Sequence, residues 1–273
     1  MGAKFSKPTS NPLRNFNFFS CFKCGRSRQP SFYHNISPQP SIFATLTRRN
    51  VPRPNKFIHL FSNCISAATA RTQEYLIFKD PEDKLRPSPE VLTQVFLMTY
   101  ITRSVEVNLQ DSLNCTVMTP EQRVLLGADW VWAVLERPTK NPNFQIVVQV
   151  LHLSEREEAE QKVSVDTCSE SIQMAQMESS NNNTNERMVN FCTSIGKDCY
   201  ALFLFFGKKN DKVNIYGVLS NNFEAAKGKC RIDRALIENF FKGSRYLHTP
   251  LGMMQAIMTK NKGDPITVMI KFS

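Results

Sequence analysis

The chain opens Met1-Gly2-Ala3-Lys4-Phe5-Ser6-Lys7, the pattern read for N-myristoylation, in which Gly2 becomes the amino terminus once Met1 is removed and Ser6 stands at the required place. One myristoyl chain holds a bilayer only marginally, with an association constant on the order of 10⁴ per molar, so attachment needs a second signal. Two are at hand. Lys4, Lys7, Arg14, Lys23, Arg26 and Arg28 each contribute about 1 kcal/mol where they reach an anionic cytoplasmic leaflet. Cys21 and Cys24, set among Phe18, Phe19 and Phe22, are where a reversible palmitoyl group makes physical sense. The alternative is a disordered basic tail in which the glycine is incidental.

Catalytic chemistry is hard to find. There is no glycine-rich phosphate loop, no Gly-x-Ser-x-Gly elbow and no His-Glu-x-x-His helix. The four histidines, His34, His59, His152 and His248, have no acidic or nucleophilic companion at a telling spacing. Cys192 or Cys199 with His152 would make a nucleophile and base, but buried structural thiols are far commoner. Cys21-x-x-Cys24 with His34 and His59 lacks a second ligand pair, so no metal is expected. The chain reads as a binding protein, not an enzyme, with neither a cofactor nor a small-molecule substrate.

The formal charge of +10 resides in the first 56 residues, which hold ten Lys and Arg and no acid. Beyond them the remaining 24 basic residues equal the 24 acidic ones. A basic arm therefore precedes an electrically balanced body. An acid-free arm is also the composition of a mitochondrial transit peptide, but seven prolines from Pro8 to Pro54 interrupt the amphipathic helix such a peptide needs. Its interleaved phenylalanines suit stacking on single-stranded nucleic acid, yet no folded nucleic-acid module accompanies them, so no nucleic acid is expected. The longest apolar runs fall far short of the roughly 18 residues a membrane-spanning helix needs. Eight irregularly spaced cysteines read as reduced cytosolic thiols, and the Asn114 and Asn182 glycosylation patterns as accidental.

In the body, periodicity and stop signals predict about five longer helices, a short last one, and four strands. The first helix covers residues 62–78. The second starts at Ser88-Pro89 and carries Val91, Leu92, Val95, Phe96, Met98, Tyr100 and Ile101. It is apolar nearly all round, as befits a central helix or one with a second apolar face for a partner. Thr119-Pro120-Glu121-Gln122 starts a third with a capping box and a helix-initiating proline, and that helix is read onward through Trp130 and Trp132. Two residues apart on a helix, the indoles point about 200° from each other, so one of them is expected at a surface unless both are core tryptophans satisfied locally.

A strand over 144–153 follows, with Gln145 and Gln149 marking a solvated face. Residues 154–185 read as a mobile loop. A helix over 186–195 stops at Gly196, a hairpin pairs 200–206 with 213–218, Asp233 and Thr249 cap two more helices, and 266–272 forms a closing strand. The expectation is an α+β fold, with about five helices on one face of a mostly antiparallel sheet of about four strands. It forms a single domain over 57–273, preceded by a disordered arm over 1–56.

Three segments carry a resemblance: Glu74-Tyr75-Leu76-Ile77-Phe78, Gly127-Ala128-Asp129-Trp130-Val131-Trp132, and the run from Phe191-Cys192 through Gly196-Lys197-Asp198-Cys199 to Phe206-Gly207. With the Met1-Gly2 start, they resemble the Rab-fifteen effector family in matching order over most of residues 60–220. The tryptophan segment is the most specific part. The proline-rich arm and the 154–185 loop fall outside the resemblance. It implies a non-enzymatic effector that binds a GTP-loaded Rab GTPase on early and recycling endosomes and promotes return of receptors such as transferrin receptor to the cell surface. The nucleotide and magnesium would belong to the GTPase, leaving this chain no cofactor of its own. On that reading the exposed side of the second helix, with Leu97 and Tyr100, and the outward one of Trp130 and Trp132 are the expected contact, because aromatic anchors dominate interfaces. The arm would meet the anionic cytoplasmic face of the endosomal membrane.

Overall fold

A computed structural model describes residues 56–136, 139–151, 183–208, 211–226, 231–244, 246–261 and 263–272. The described elements run α1 (Lys56–Leu76), α2 (Pro89–Glu106), β1 (Leu113–Val117), α3 (Pro120–Leu126), β2 (Trp130–Leu135), β3 (Pro142–Leu151), α4 (Thr184–Ile195), β4 (Cys199–Lys208), β5 (Asp211–Ser220), α5 (Arg234–Gly243), α6 (Pro250–Thr259) and β6 (Thr267–Lys271). The six strands form one sheet in sequence order, antiparallel throughout except for β3 against β4. That one parallel pair needs a crossover, and α4 lies in it.

The class is α+β, as expected, but the helices cover both faces of the sheet. On one face α1, α2 and α6 bury Phe61, Ile65, Phe96, Tyr100, Met253 and Met254 against Trp130, Trp132, Ile146, Leu202, Leu204 and Ile270. The opposite face stacks Phe203 edge-on to Phe223 at 5.2 Å and Phe205 edge-on to Phe241 of α5 at 5.3 Å. There α4 buries Met188, Val189 and Cys192. Two-sided cover corrects the reading of β3, since Gln145 and Gln149 are buried and not solvated.

Local signals set most helix ends. Ser88 accepts from the Val91 N–H at 3.2 Å, Asp233 from Leu236 at 2.9 Å and Thr249 from Gly252 at 3.1 Å. The capping box of α3 is complete: Gln122 N–H donates to Thr119 Oγ1 at 3.3 Å, and Thr119 N–H to Gln122 Oε1 at 2.9 Å. That helix nevertheless stops at Leu126, because Gly127 takes a left-handed conformation with φ 67°. The tryptophans therefore lie on a strand. Sequence reading also missed β1, and the expected loop ends earlier than predicted: Asn183 caps α4, which begins at Thr184. The rest of that loop, 154–182, lies outside the described residues.

Candidate functional site

The change from helix to strand at Gly127 decides what the tryptophan segment does. Residues two apart on a strand share a face. Trp130 and Trp132 both point into the core, at 0% and 1% exposure, with ring centroids 5.5 Å apart. Trp132 meets Phe61 edge-on at 5.2 Å and Tyr100 at 5.3 Å, and Trp130 meets Phe96 at 5.8 Å. Neither tryptophan is outward, and Leu97 and Tyr100 are buried beside them. All four residues expected at a contact surface belong to the core.

The rest of that segment is architectural too. Asp129 accepts from the Val150 N–H through Oδ2 at 2.7 Å and faces Arg123 Nε through Oδ1 at 3.8 Å, tying α3 to β3. Burial pushes the Asp129 carboxyl up, against the opposing pull of that N–H and of Arg123. Burial likewise drives the Cys192 thiol well up beside Cys199, the reverse of what activates a nucleophile. His152 lies outside the described residues. So do Gly2, Cys21 and Cys24, together with Lys4, Lys7, Arg14, Lys23, Arg26 and Arg28. Among the described residues no group of three or more His, Cys, Asp or Glu could hold a metal ion, and no helix is long and apolar enough to cross a membrane.

A hollow of about 160 Å³ opens between β3, β4 and α6, lined by residues including Phe144, Asp198, Tyr200 and Lys260. It falls short of the several hundred Å³ usual for a small-molecule site. Lys260 is already engaged there, donating to the Asp264 carbonyl at 2.9 Å with its Nζ over the Tyr200 ring.

Among the described residues, an exposed apolar stripe runs along α2. Leu92, Phe96, Leu97 and Tyr100 turn inward, whereas Val91, Met98, Ile101 and Val105 are exposed, Met98 at 60% and Val105 at 55%. At 100° per residue these four fall within roughly 80° of arc, a single ridge directed away from the core. Exposed Gln94 falls inside that arc and bonds Glu90 at 3.4 Å, while Arg103 pairs with Glu106 on the polar flank. The second apolar face expected of this helix is present, built from different residues. The signal for it was the seven-residue spacing of Val91, Met98 and Val105.

Fold and surface together describe an α+β domain: a sheet covered by helices on both sides, with an exposed apolar ridge on α2. A model of the Rab15 effector family matches residues 47–266. The chain belongs to that family. It is 32% identical over 158 residues to the Rab15 effector protein of Mus musculus, a match spanning 58% of this chain and 65% of that relative.

Proposed function

We propose that this chain is a non-enzymatic effector that binds a GTP-loaded Rab GTPase through the outward face of α2. It acts on the cytoplasmic face of early and recycling endosomes to return receptors such as transferrin receptor to the cell surface. Family membership supports the partner class, and the exposed ridge Val91, Met98, Ile101 and Val105 is the observation that carries the placement. A GTPase switch is ordered only while the γ-phosphate and its magnesium hold it, so an effector that packs apolar side chains on the ordered switch distinguishes GTP from GDP. Methionine suits such a surface because its unbranched side chain repacks readily.

The test is capture of the full chain on a panel of Rab GTPases, each loaded with a non-hydrolysable GTP analogue or with GDP. Selective capture by GTP-loaded forms is expected. Met98→Asp places a charge at the centre of the ridge and is expected to weaken capture by a factor of at least about 10, while the melting temperature stays within roughly 2 °C because the site is solvated. Undiminished capture by Met98→Asp would remove α2 from the interface. Failure across the whole panel would remove the Rab reading itself.

The arm is the anchor in this proposal. A myristoyl group on Gly2, joined by the arm's cations and by acylation at Cys21 or Cys24, supplies the two signals that stable attachment requires. Gly2→Ala is expected to shift most of the protein from the membrane to the soluble fraction of a cell lysate. An unchanged distribution would assign attachment to something other than the lipid.

A further inference from the structure

We propose that the open edge of β1 is a self-association surface, at which a second copy of this chain adds its own β1 antiparallel across a two-fold axis and joins the two six-stranded sheets into one. The bonds to β2 fix which backbone groups are left over. Met118 N–H donates to the Asp129 carbonyl at 2.9 Å, and Leu135 N–H to the Ser112 carbonyl at 2.8 Å. With Asn114 opposite Ala133 and Thr116 opposite Val131, the even-numbered residues of β1 bond β2, and the N–H and C=O groups of Leu113, Cys115 and Val117 point the other way. Leu113 is buried, so the open stretch is 114–117, with Val117 40% exposed. Among the described residues nothing bonds the outward N–H and C=O groups of Cys115 or Val117.

The other edge of the sheet is guarded, and this one is not. β6 carries Lys271, and its outer side is closed by His248, whose N–H donates to the Met269 carbonyl at 2.8 Å and whose carbonyl accepts from the Lys271 N–H at 2.9 Å. β1 reads Leu-Asn-Cys-Thr-Val, with neither a charge nor a proline, and no bulge breaks its register with β2. Lys140, near its entry, is engaged with the Asp111 carbonyl and carboxylate at 3.0 and 3.4 Å. An uncharged edge does not repel a copy of itself. It is also self-complementary. With the two-fold axis at Thr116, Cys115 of each copy stands opposite Val117 of the other, and each of these two pairs exchanges both of its backbone bonds. On one face the apolar Cys115 and Val117 meet, and on the other the two Thr116 hydroxyls lie close enough to bond each other. That match of like with like selects a second copy over an unrelated strand.

The test is sedimentation equilibrium of the full chain, produced without lipid, over a range of concentrations. A mass approaching twice 31.2 kDa is expected at about 50 µM. Val117→Lys sets an ammonium group beside the open backbone, the device that guards other edges, and is expected to raise the dimer dissociation constant by a factor of at least about 10. Its melting temperature, taken where both proteins are monomeric, should stay within roughly 2 °C of wild type because the side chain is exposed. A wild-type chain that remains monomeric would overturn the proposal. A dimer that Val117→Lys leaves intact would overturn it equally, because the contact would lie elsewhere. Cross-linking by oxidised glutathione then checks the pairing. Opposite residues at a position without backbone bonds have Cα atoms about 4.5 Å apart, within reach of a disulfide. Thr116→Cys should therefore give a covalent dimer on a non-reducing gel well above the wild-type background, whereas Asn114→Cys, which stands opposite Met118 of the second copy, should not. Equal cross-linking of the two variants would sink the pairing at Thr116. None of these readouts involves a GTPase, so failure here leaves the Rab reading standing.

Discussion

Gly127→Ala is expected to cost about 3–4 kcal/mol and to lower the melting temperature by roughly 6–16 °C, taking about 2–4 °C per kcal/mol for a domain of this size. Two effects act together. Gly127 has φ 67°, a left-handed conformation that costs a residue with a Cβ about 1–2 kcal/mol. The added Cβ would also fall 2.1 Å from the Thr184 carbonyl oxygen and 3.1 Å from the Met188 nitrogen. Both atoms are backbone of the first turns of α4, so no side chain can swing aside. Either α4 shifts relative to α3, disturbing Met188 and Val189 in the core, or α3 loses the termination that hands the chain to β2. Gly196 provides the control. It also has positive φ, at 131°, but its Cβ position has nothing within 4 Å, so Gly196→Ala should show backbone strain alone, about 1–2 kcal/mol. Thermal melts followed by far-ultraviolet circular dichroism decide between them. Equal losses at the two glycines would mean that α4 yields freely at its contact with α3.

How far the fold was legible follows from how local each signal is. Ser88, Thr119, Asp233 and Thr249 start their helices through bonds to residues three positions on, so the sequence alone placed those starts. The hairpin of β4 and β5 was equally visible. Burial is a tertiary property and was not. Helices on both faces bury Gln145 and Gln149 as well as Ile146 and Val148, which erases the meaning of polar alternation in β3. At Trp130 and Trp132 the period itself was misread. Gly127 lay in view, but the strong start at Thr119 carried the helix through it, and a spacing that separates side chains on a helix unites them on a strand. The candidate surface failed for the same reason in reverse: aromatic residues were assigned to the partner when the core had used them. The heptad of Val91, Met98 and Val105 was the better guide to the outward face.

That reversal sets up the second large effect. Trp132→Ala is expected to cost about 4–5 kcal/mol, the upper range for a large aromatic removed from a core. The indole is 1% exposed, and its removal leaves Phe61, Tyr100 and Trp130 each without a ring neighbour within 5.5 Å on that side. Such a loss rivals the whole stability of a typical domain, so the variant should be largely unfolded near 37 °C. Trp132→Phe should cost less, about 1–3 kcal/mol, because a ring remains and the substitution also removes an indole N–H whose surroundings offer only the weakly accepting Cys115 thiol. The consequence for function is a contrast between two kinds of lost capture. Trp132→Phe, assayed at a temperature where it is folded, should bind the GTP-loaded partner as wild type does, since the indole touches nothing outside the core. Met98→Asp should lose binding while melting normally. If Trp132→Phe instead folded normally and lost capture, the partner would be reading the shape of the core beneath α2, and the exposed ridge would be only part of the contact. Capture assays and melts on the same two preparations resolve it.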